Sequence, residues 1–291
     1  ILMETEIWPN LIHALKQYNI PSILINARLS ERSLEKYHKF TANLVKQTLN
    51  KLTLVATQNQ NSADRFIQLG APKNKVVNAG NIKFDQNPKS DSLATTAIGK
   101  ITQARTVVTF ASTHEGEEKT ILQSLSTFKG KTDFLLVFVP RHPERFNQVE
   151  KLIKSYDLTV ERRSGARSAT QADVLLGDSM GEMMSYFELS DIVFMGGSLN
   201  DTGGHNMLEP AALSKPIIFG PTVFNFAEIS ADLLEQQGAI QVKNADELFV
   251  QIAQLLADKK QLKSLSINAK QYFDSQQGAV KRLSKLIAEI I

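Results

Sequence analysis

The 291-residue chain contains no cysteine, which excludes disulfides, thiolate zinc sites and cysteine nucleophiles. Long apolar runs are also missing. None approaches the roughly 18 residues that a membrane-spanning helix needs, and the first residues carry no signal-peptide pattern, so a soluble, cytoplasmic polypeptide is expected. Charge of one sign is not in excess: 33 Lys and Arg against 30 Asp and Glu leave +3. That balance suits an anionic small ligand or an anionic membrane surface, and it lacks the dense basic stripe of a nucleic-acid binder. No Asp-x-Asp pair is present to anchor a metal–diphosphate, and no Walker A loop occurs. The five histidines are scattered without ligand spacing, and no metal site or cofactor is expected.

What the chain does contain is alternation. Short β-branched and apolar runs at 22–25, 52–56, 76–79, 106–110, 134–139, 174–177, 192–195, 216–219 and 239–242 read as strands. They are almost continuously apolar, as parallel strands covered on both faces must be. Helix-length segments lie between them, among them 32–50, 116–128, 143–156, 206–213 and 245–257. The fold class is therefore α/β, with two Rossmann-like, doubly wound parallel sheets. A polar stretch over 86–103 marks the join, which places the domains at 1–90 and 91–291, the last helix being free to pack back on the first. The opening Ile1-Leu2-Met3-Glu4 reads as the end of a buried strand. The first sheet is accordingly expected to be incomplete and the chain to be a piece of a longer protein.

Open parallel sheets bind ligands beyond the carboxyl ends of their strands, where helix N-termini point. Five clusters in the second unit sit there. In Ala111-Ser112-Thr113-His114-Glu115-Gly116-Glu117-Glu118 the hydroxyls and acids suit a helix start, but His114 would stand at the mouth of the sheet. In Pro140-Arg141-His142-Pro143, Arg141 offers a fork to a phosphate or carboxylate. Gly181, in Asp178-Ser179-Met180-Gly181-Glu182-Met183, stands where glycine costs a helix up to about 1 kcal/mol, which a close backbone approach to a ligand would explain. Met195-Gly196-Gly197-Ser198 and Gly203-Gly204-His205-Asn206-Met207-Leu208-Glu209-Pro210 nest two double glycines at a strand end and a helix start. Their amides suit a phosphate, with Glu209 one turn in, where it can accept from a ribose. Phe224 and Phe226, after Gly220-Pro221, read as packing rather than as a shelf for a base. In the first unit, Arg28 follows a strand and precedes the Ser30 cap, and Lys83 closes the unit in Gly80-Asn81-Ile82-Lys83-Phe84-Asp85.

Six runs then resemble a known family in order along nearly the whole chain. They are Met3-Glu4-Thr5-Glu6-Ile7-Trp8-Pro9-Asn10, Asn26-Ala27-Arg28-Leu29-Ser30, Gly80–Asp85, Ala111–His114, Pro140–Arg145 and Gly203–Pro210. The chain resembles the 3-deoxy-manno-octulosonic acid (Kdo) transferases of Gram-negative bacteria. That resemblance implies a GT-B fold and inverting, metal-independent transfer of Kdo from CMP-Kdo to a lipid A precursor during lipopolysaccharide synthesis, at the cytoplasmic face of the inner membrane. It implies a donor site of Ser112, Thr113, His114, Arg141, His142, Met180, Gly181, Met183, Gly197, Gly204, His205, Asn206 and Glu209. It places Glu4, Glu6, Arg28 and Lys83 on the acceptor or the transferred sugar. The family's membrane anchor and its glycine-rich stretch with a general-base glutamate have no counterpart here. The base is thus expected upstream of residue 1, no catalytic residue is assigned, and the piece is expected to bind donor but turn over poorly. Another GT-B sugar-nucleotide enzyme, a UDP-sugar transferase or epimerase, and a non-catalytic nucleotide-sugar binding module remain the alternatives.

Overall fold

The computed structural model describes residues 1–86, 90–102, 105–130, 133–165 and 171–290. Residues 87–89 and 103, part of the expected join, lie outside that set. The chain divides into two compact units, 1–86 with 276–291, and 87–275.

The first unit opens with β1 (Leu2–Met3), α1 (Pro9–Gln17), β2 (Ile23–Ala27), α2 (Glu31–Phe40), α3 (Ala42–Lys51), β3 (Leu54–Thr57), α4 (Gln60–Gln68) and β4 (Val76–Asn78). Its sheet is wholly parallel in the order β1-β2-β3-β4. Leu24 and Val55 from the sheet and Leu49 and Phe66 from the helices form a core with no exposed surface. The single helix expected over 32–50 is two, because Thr41 adopts φ −143° and ψ 20° and ends the first before capping the second. A 3-10 turn, Ile82–Asp85, follows β4.

The second unit contains α5 (Ser92–Thr102), β5 (Val107–Thr113), α6 (Glu117–Thr127), β6 (Leu135–Pro140), α7 (Phe146–Lys154), β7 (Val160–Arg162), β8 (Val174–Leu176), α8 (Met183–Leu189), β9 (Ile192–Met195), α9 (Leu208–Ala212), β10 (Ile217–Phe219), α10 (Ala227–Glu235), β11 (Ala239–Gln241), α11 (Ala245–Ala257) and α12 (Lys259–Ser275). Its parallel sheet runs β11-β10-β9-β5-β6-β8-β7. The residues of β5, β6, β8 and β9 are all buried. Both faces are covered by helices, and Phe110, Phe138, Phe194 and Phe249 cluster on one of them. From β5 the chain moves outward through β6, and from β9 it moves outward the other way. The strand order therefore reverses between β5 and β9, and their carboxyl ends bound the crevice where a ligand is expected. The last helix, α13 (Ala279–Ala288), belongs to the first unit. There Asp85 accepts from the amides of Gly278 and Val280, and Arg282 donates to the Ala79 carbonyl.

All nine expected strands are present within a few residues of their expected bounds. β7 went unread because Val160-Glu161-Arg162 is a half-exposed edge strand whose charged residues mask it. The helix expected over 143–156 begins as a 3-10 turn at Pro143–Arg145 before α7. The one expected over 206–213 shrinks to α9, because Asn206 Oδ1 accepts from the Leu208 amide and caps it late.

Candidate functional site

At the end of β5 the backbone turns sharply. Ser112 takes φ +55°, and the pairing of β5 with β6 shifts register between Ala111 and Thr113. A side chain is strained in that left-handed region, and Ser112 is held there from the β9 side. A Cβ on Gly196 would come within 2.7 Å of the carbonyl oxygens of Ala111 and Ser112, so the two strand ends can close only over a glycine.

Two buried acids in the first turn of α6 hold the surrounding loops. Glu117 accepts from the amides of Gly197 (2.6 Å), Ser198 (3.0 Å), Leu199 (3.0 Å) and His114 (2.9 Å). Burial pushes its carboxyl above the ordinary range, and the four amides pull it back. Glu118, with no exposed surface, forms a bidentate pair with Arg145 at 2.8 Å on each arm. The first acid joins the β5 end to the β9 loop, and the second joins it to the β6 loop. The sequence reading took both only as suited to a helix start. Their partners lie 27 and some 80 residues away, and no local signal separates a clamp from a cap.

His114 and His205 meet across this crevice with Nε2 atoms 2.7 Å apart and rings stacked at 5.0 Å. His142 stands edge-on to His114 at 5.3 Å between ring centres. Burial, followed by the charge of neighbouring His142 and Arg145, lowers the pKa of His114. Burial and His114 hold His205 down to about 4. Arg141 is exposed in the same loop. Glu209, in the first turn of α9, accepts from Asn206 Nδ2 at 3.3 Å, and burial raises its pKa. Thr113 Oγ1 is buried with no hydrogen-bond partner among the described residues.

Ser112, Thr113, His114, Gly197, Gly204, His205, Asn206 and Glu209 thus gather on the facing β5 and β9 ends, with Arg141 and His142 on the neighbouring β6 loop. Both glycine amides have partners within the protein. The Gly197 amide is committed to Glu117, and its missing side chain makes room for His205, whose ring would lie 3.1 Å from a Cβ there. The Gly204 amide donates to the Gly197 carbonyl at 2.7 Å. Met180 is 62% exposed, and Gly181, at φ +81°, has open space where a side chain would stand. Both lie, with Met183, in the loop after β8, which Glu182 braces through Ser179 and Arg163. Among the described residues no group of three or more His, Asp or Glu side chains is placed to hold a metal ion.

In the first unit, Glu4 at φ +56° exchanges backbone bonds with Ile25 and Arg28, and its carboxylate faces Lys83 at 3.9 Å. Glu6 instead accepts from the indole of Trp8 at 2.6 Å. Asn26, to which the sequence reading gave no role, is fully buried at φ +50°. Its Oδ1 accepts from the Ile82 amide and so holds the turn that carries Lys83.

Comparison with known proteins gives this geometry a context. Residues 1–86 match the family model described as 3-deoxy-D-manno-octulosonic-acid transferase, and residues 113–272 match glycosyl transferases group 1. The chain is 43% identical to the 3-deoxy-D-manno-octulosonic acid transferase of Haemophilus influenzae, over 99% of this chain and 68% of that protein. It is 30% identical to the Bordetella pertussis transferase of the same name, over 97% of this chain and 67% of that one. The chain thus spans about two thirds of the length of these relatives. Among solved structures, the C-terminal CMP-Kdo binding domain of WaaA from Acinetobacter baumannii is 33% identical with a TM-score of 0.57, covering 62% of this chain and 98% of that domain. A Listeria monocytogenes structure described as a putative UDP-N-acetylglucosamine 2-epimerase has a TM-score of 0.63 at 12% identity, over 99% of this chain and 72% of that one, a likeness of fold alone.

Proposed function

The chain belongs to the Kdo transferases, with their GT-B fold, and from that premise we propose that its second unit binds CMP-Kdo and that the whole protein transfers Kdo to a lipid A precursor. The observation that carries the reading is the 33% identity to a solved CMP-Kdo binding domain. It is supported by the polar groups converging where the strand order reverses. Ser112, Thr113, Arg141 and the Met180–Met183 loop line the pocket. The amides of Gly203, His205 and Asn206 face the phosphate, and Glu209 takes the ribose hydroxyls. Arg141 offsets the charge that develops on the departing CMP, the electrostatic stabilisation such a step requires. Glu4, Glu6, Arg28 and Lys83 in the first unit position the acceptor or the transferred sugar. The acceptor is met at the cytoplasmic face of the inner membrane, where the surface is anionic. Among the described residues no helix is long and apolar enough to cross that membrane.

Calorimetric titration with CMP, UMP and GMP in EDTA tests the reading. CMP should bind in preference to the others, and Glu209→Ala should weaken it about tenfold, the loss of a hydrogen bond to a charged group. Preference for UMP would move the function to another sugar-nucleotide enzyme. Absence of CMP binding would overturn the donor site.

A further inference from the structure

At 2.7 Å, one Nε2 of the His114–His205 contact must carry a hydrogen and the other must offer its lone pair. Each ring then has only its Nδ1 position at which to change. A neutral pair holds two protons. A third makes an imidazolium–imidazole hydrogen bond, strengthened by charge, and neither ring need move. A fourth would set two N–H groups against each other and part the rings. The geometry thus accommodates one extra proton and no more.

The surroundings decide when that proton arrives. From the β6 loop, Arg141, His142 and Arg145 act on the pair. From α6, Glu118 acts on His114 in the opposite sense and Glu117 accepts from the His114 amide, while Glu209 stands in the first turn of α9. Glu117 is held by four amides and Glu118 by Arg145, while Glu209 is bonded to Asn206. The carboxylates are therefore already satisfied, and Arg141 and His142 oppose a further positive charge. The free protein keeps the pair neutral near pH 7. A dianion entering the crevice reverses that balance.

Resting on the CMP-sugar reading above, we propose that the His114–His205 pair takes up one proton when a nucleoside monophosphate occupies the site, and that it thereby matches the charge the phosphate gains as the sugar departs. In the donor the phosphodiester carries one negative charge. Transfer breaks the bond between the sugar carbon and the phosphate oxygen and leaves its electron pair on that oxygen. The new bond forms to the acceptor oxygen, whose proton is released. The product phosphomonoester, with a second pKa near 6, carries two negative charges at pH 7. The proton shed by the acceptor and the proton gained by the pair balance while CMP stays bound, and the pair loses its proton again when CMP leaves.

Titration of CMP at pH 7 in buffers of differing ionisation enthalpy counts protons directly. Net uptake is expected with CMP and none with cytidine, which lacks the phosphate. The complex holds more protons than its free components, so affinity should fall as pH rises, by up to about tenfold per unit between about pH 6.5 and 8. Titration of the phosphate itself releases protons on binding and acts in the opposite sense. His114→Gln and His205→Gln should each remove the uptake and flatten the slope. If either fails to fold, nitrogen NMR of the wild-type imidazoles reads the same proton on adding CMP. CMP binding without uptake, or uptake undiminished in both variants, would overturn this proposal and leave the donor site standing. If CMP does not bind at all, the donor reading fails and this one with it.

Discussion

β2 and β5 end alike. Each is a central parallel strand whose pairing slips register near its carboxyl end, at a buried non-glycine residue in the left-handed region, Asn26 at φ +50° and Ser112 at φ +55°. What surrounds the two kinks differs. Around Ser112, Glu117 gathers four amides, Glu118 grips Arg145, and His205 closes on His114. Around Asn26, one side-chain oxygen caps one turn, the Asn26 Nδ2 is buried with no partner among the described residues, and the nearby Lys83–Glu4 pair stands at 3.9 Å and half exposed. The same backbone device is braced by buried charge in one unit and by neutral amide side chains in the other, Asn26 on the Ile82 amide and Gln58 Nε2 on the Asn26 carbonyl at 3.0 Å. Each end leaves a buried group without a partner among the described residues, Thr113 Oγ1 and Arg145 Nε at the β5 end and Asn26 Nδ2 at the β2 end. Charge-assisted bonds, however, are about twice as strong as neutral ones, so the β5 end is the more rigid of the two.

Three substitutions sharpen or break that contrast. The largest effect is expected from Arg145→Ala, which strands the buried Glu118 carboxylate and should cost roughly 3–5 kcal/mol in urea unfolding followed by circular dichroism. Asn26→Ala should cost about 1–2 kcal/mol, because alanine tolerates the left-handed region poorly and the Ile82 cap is lost. The single tryptophan, Trp8, lies in the first unit, and its fluorescence follows that unfolding separately. Lys83→Ala should stay within about 1 kcal/mol, as exposed ion pairs do. If Arg145→Ala proves no more costly than Lys83→Ala, the difference between the two strand ends is not one of bracing.

Much of this was legible in the residues. Parallel strands buried on both faces must be apolar throughout, so β5, β6 and β9 announce themselves, whereas edge strand β7 does not. The residues after each strand pointed to His114, Arg141, His205 and Glu209 because topology fixes where strands end. Glu117 was invisible, since acids at helix starts are ordinary and its partners are set by the fold. Gly197 and Gly204 were noticed for their position after a strand end, while their intramolecular partners, Glu117 and the Gly197 carbonyl, were not. A glycine shows that something comes close, but not whether it is a ligand or the imidazole of His205.

The placement of α13 bears on how the protein is made. The amides of Gly278 and Val280 and the Arg282 side chain, which close the first unit against Asp85 and Ala79, are translated after the whole of the second unit. On the ribosome, the unit that emerges first is therefore completed last. Until then the segment through residue 86 must wait, its final helix still unsynthesised, while the second unit is free to fold behind it.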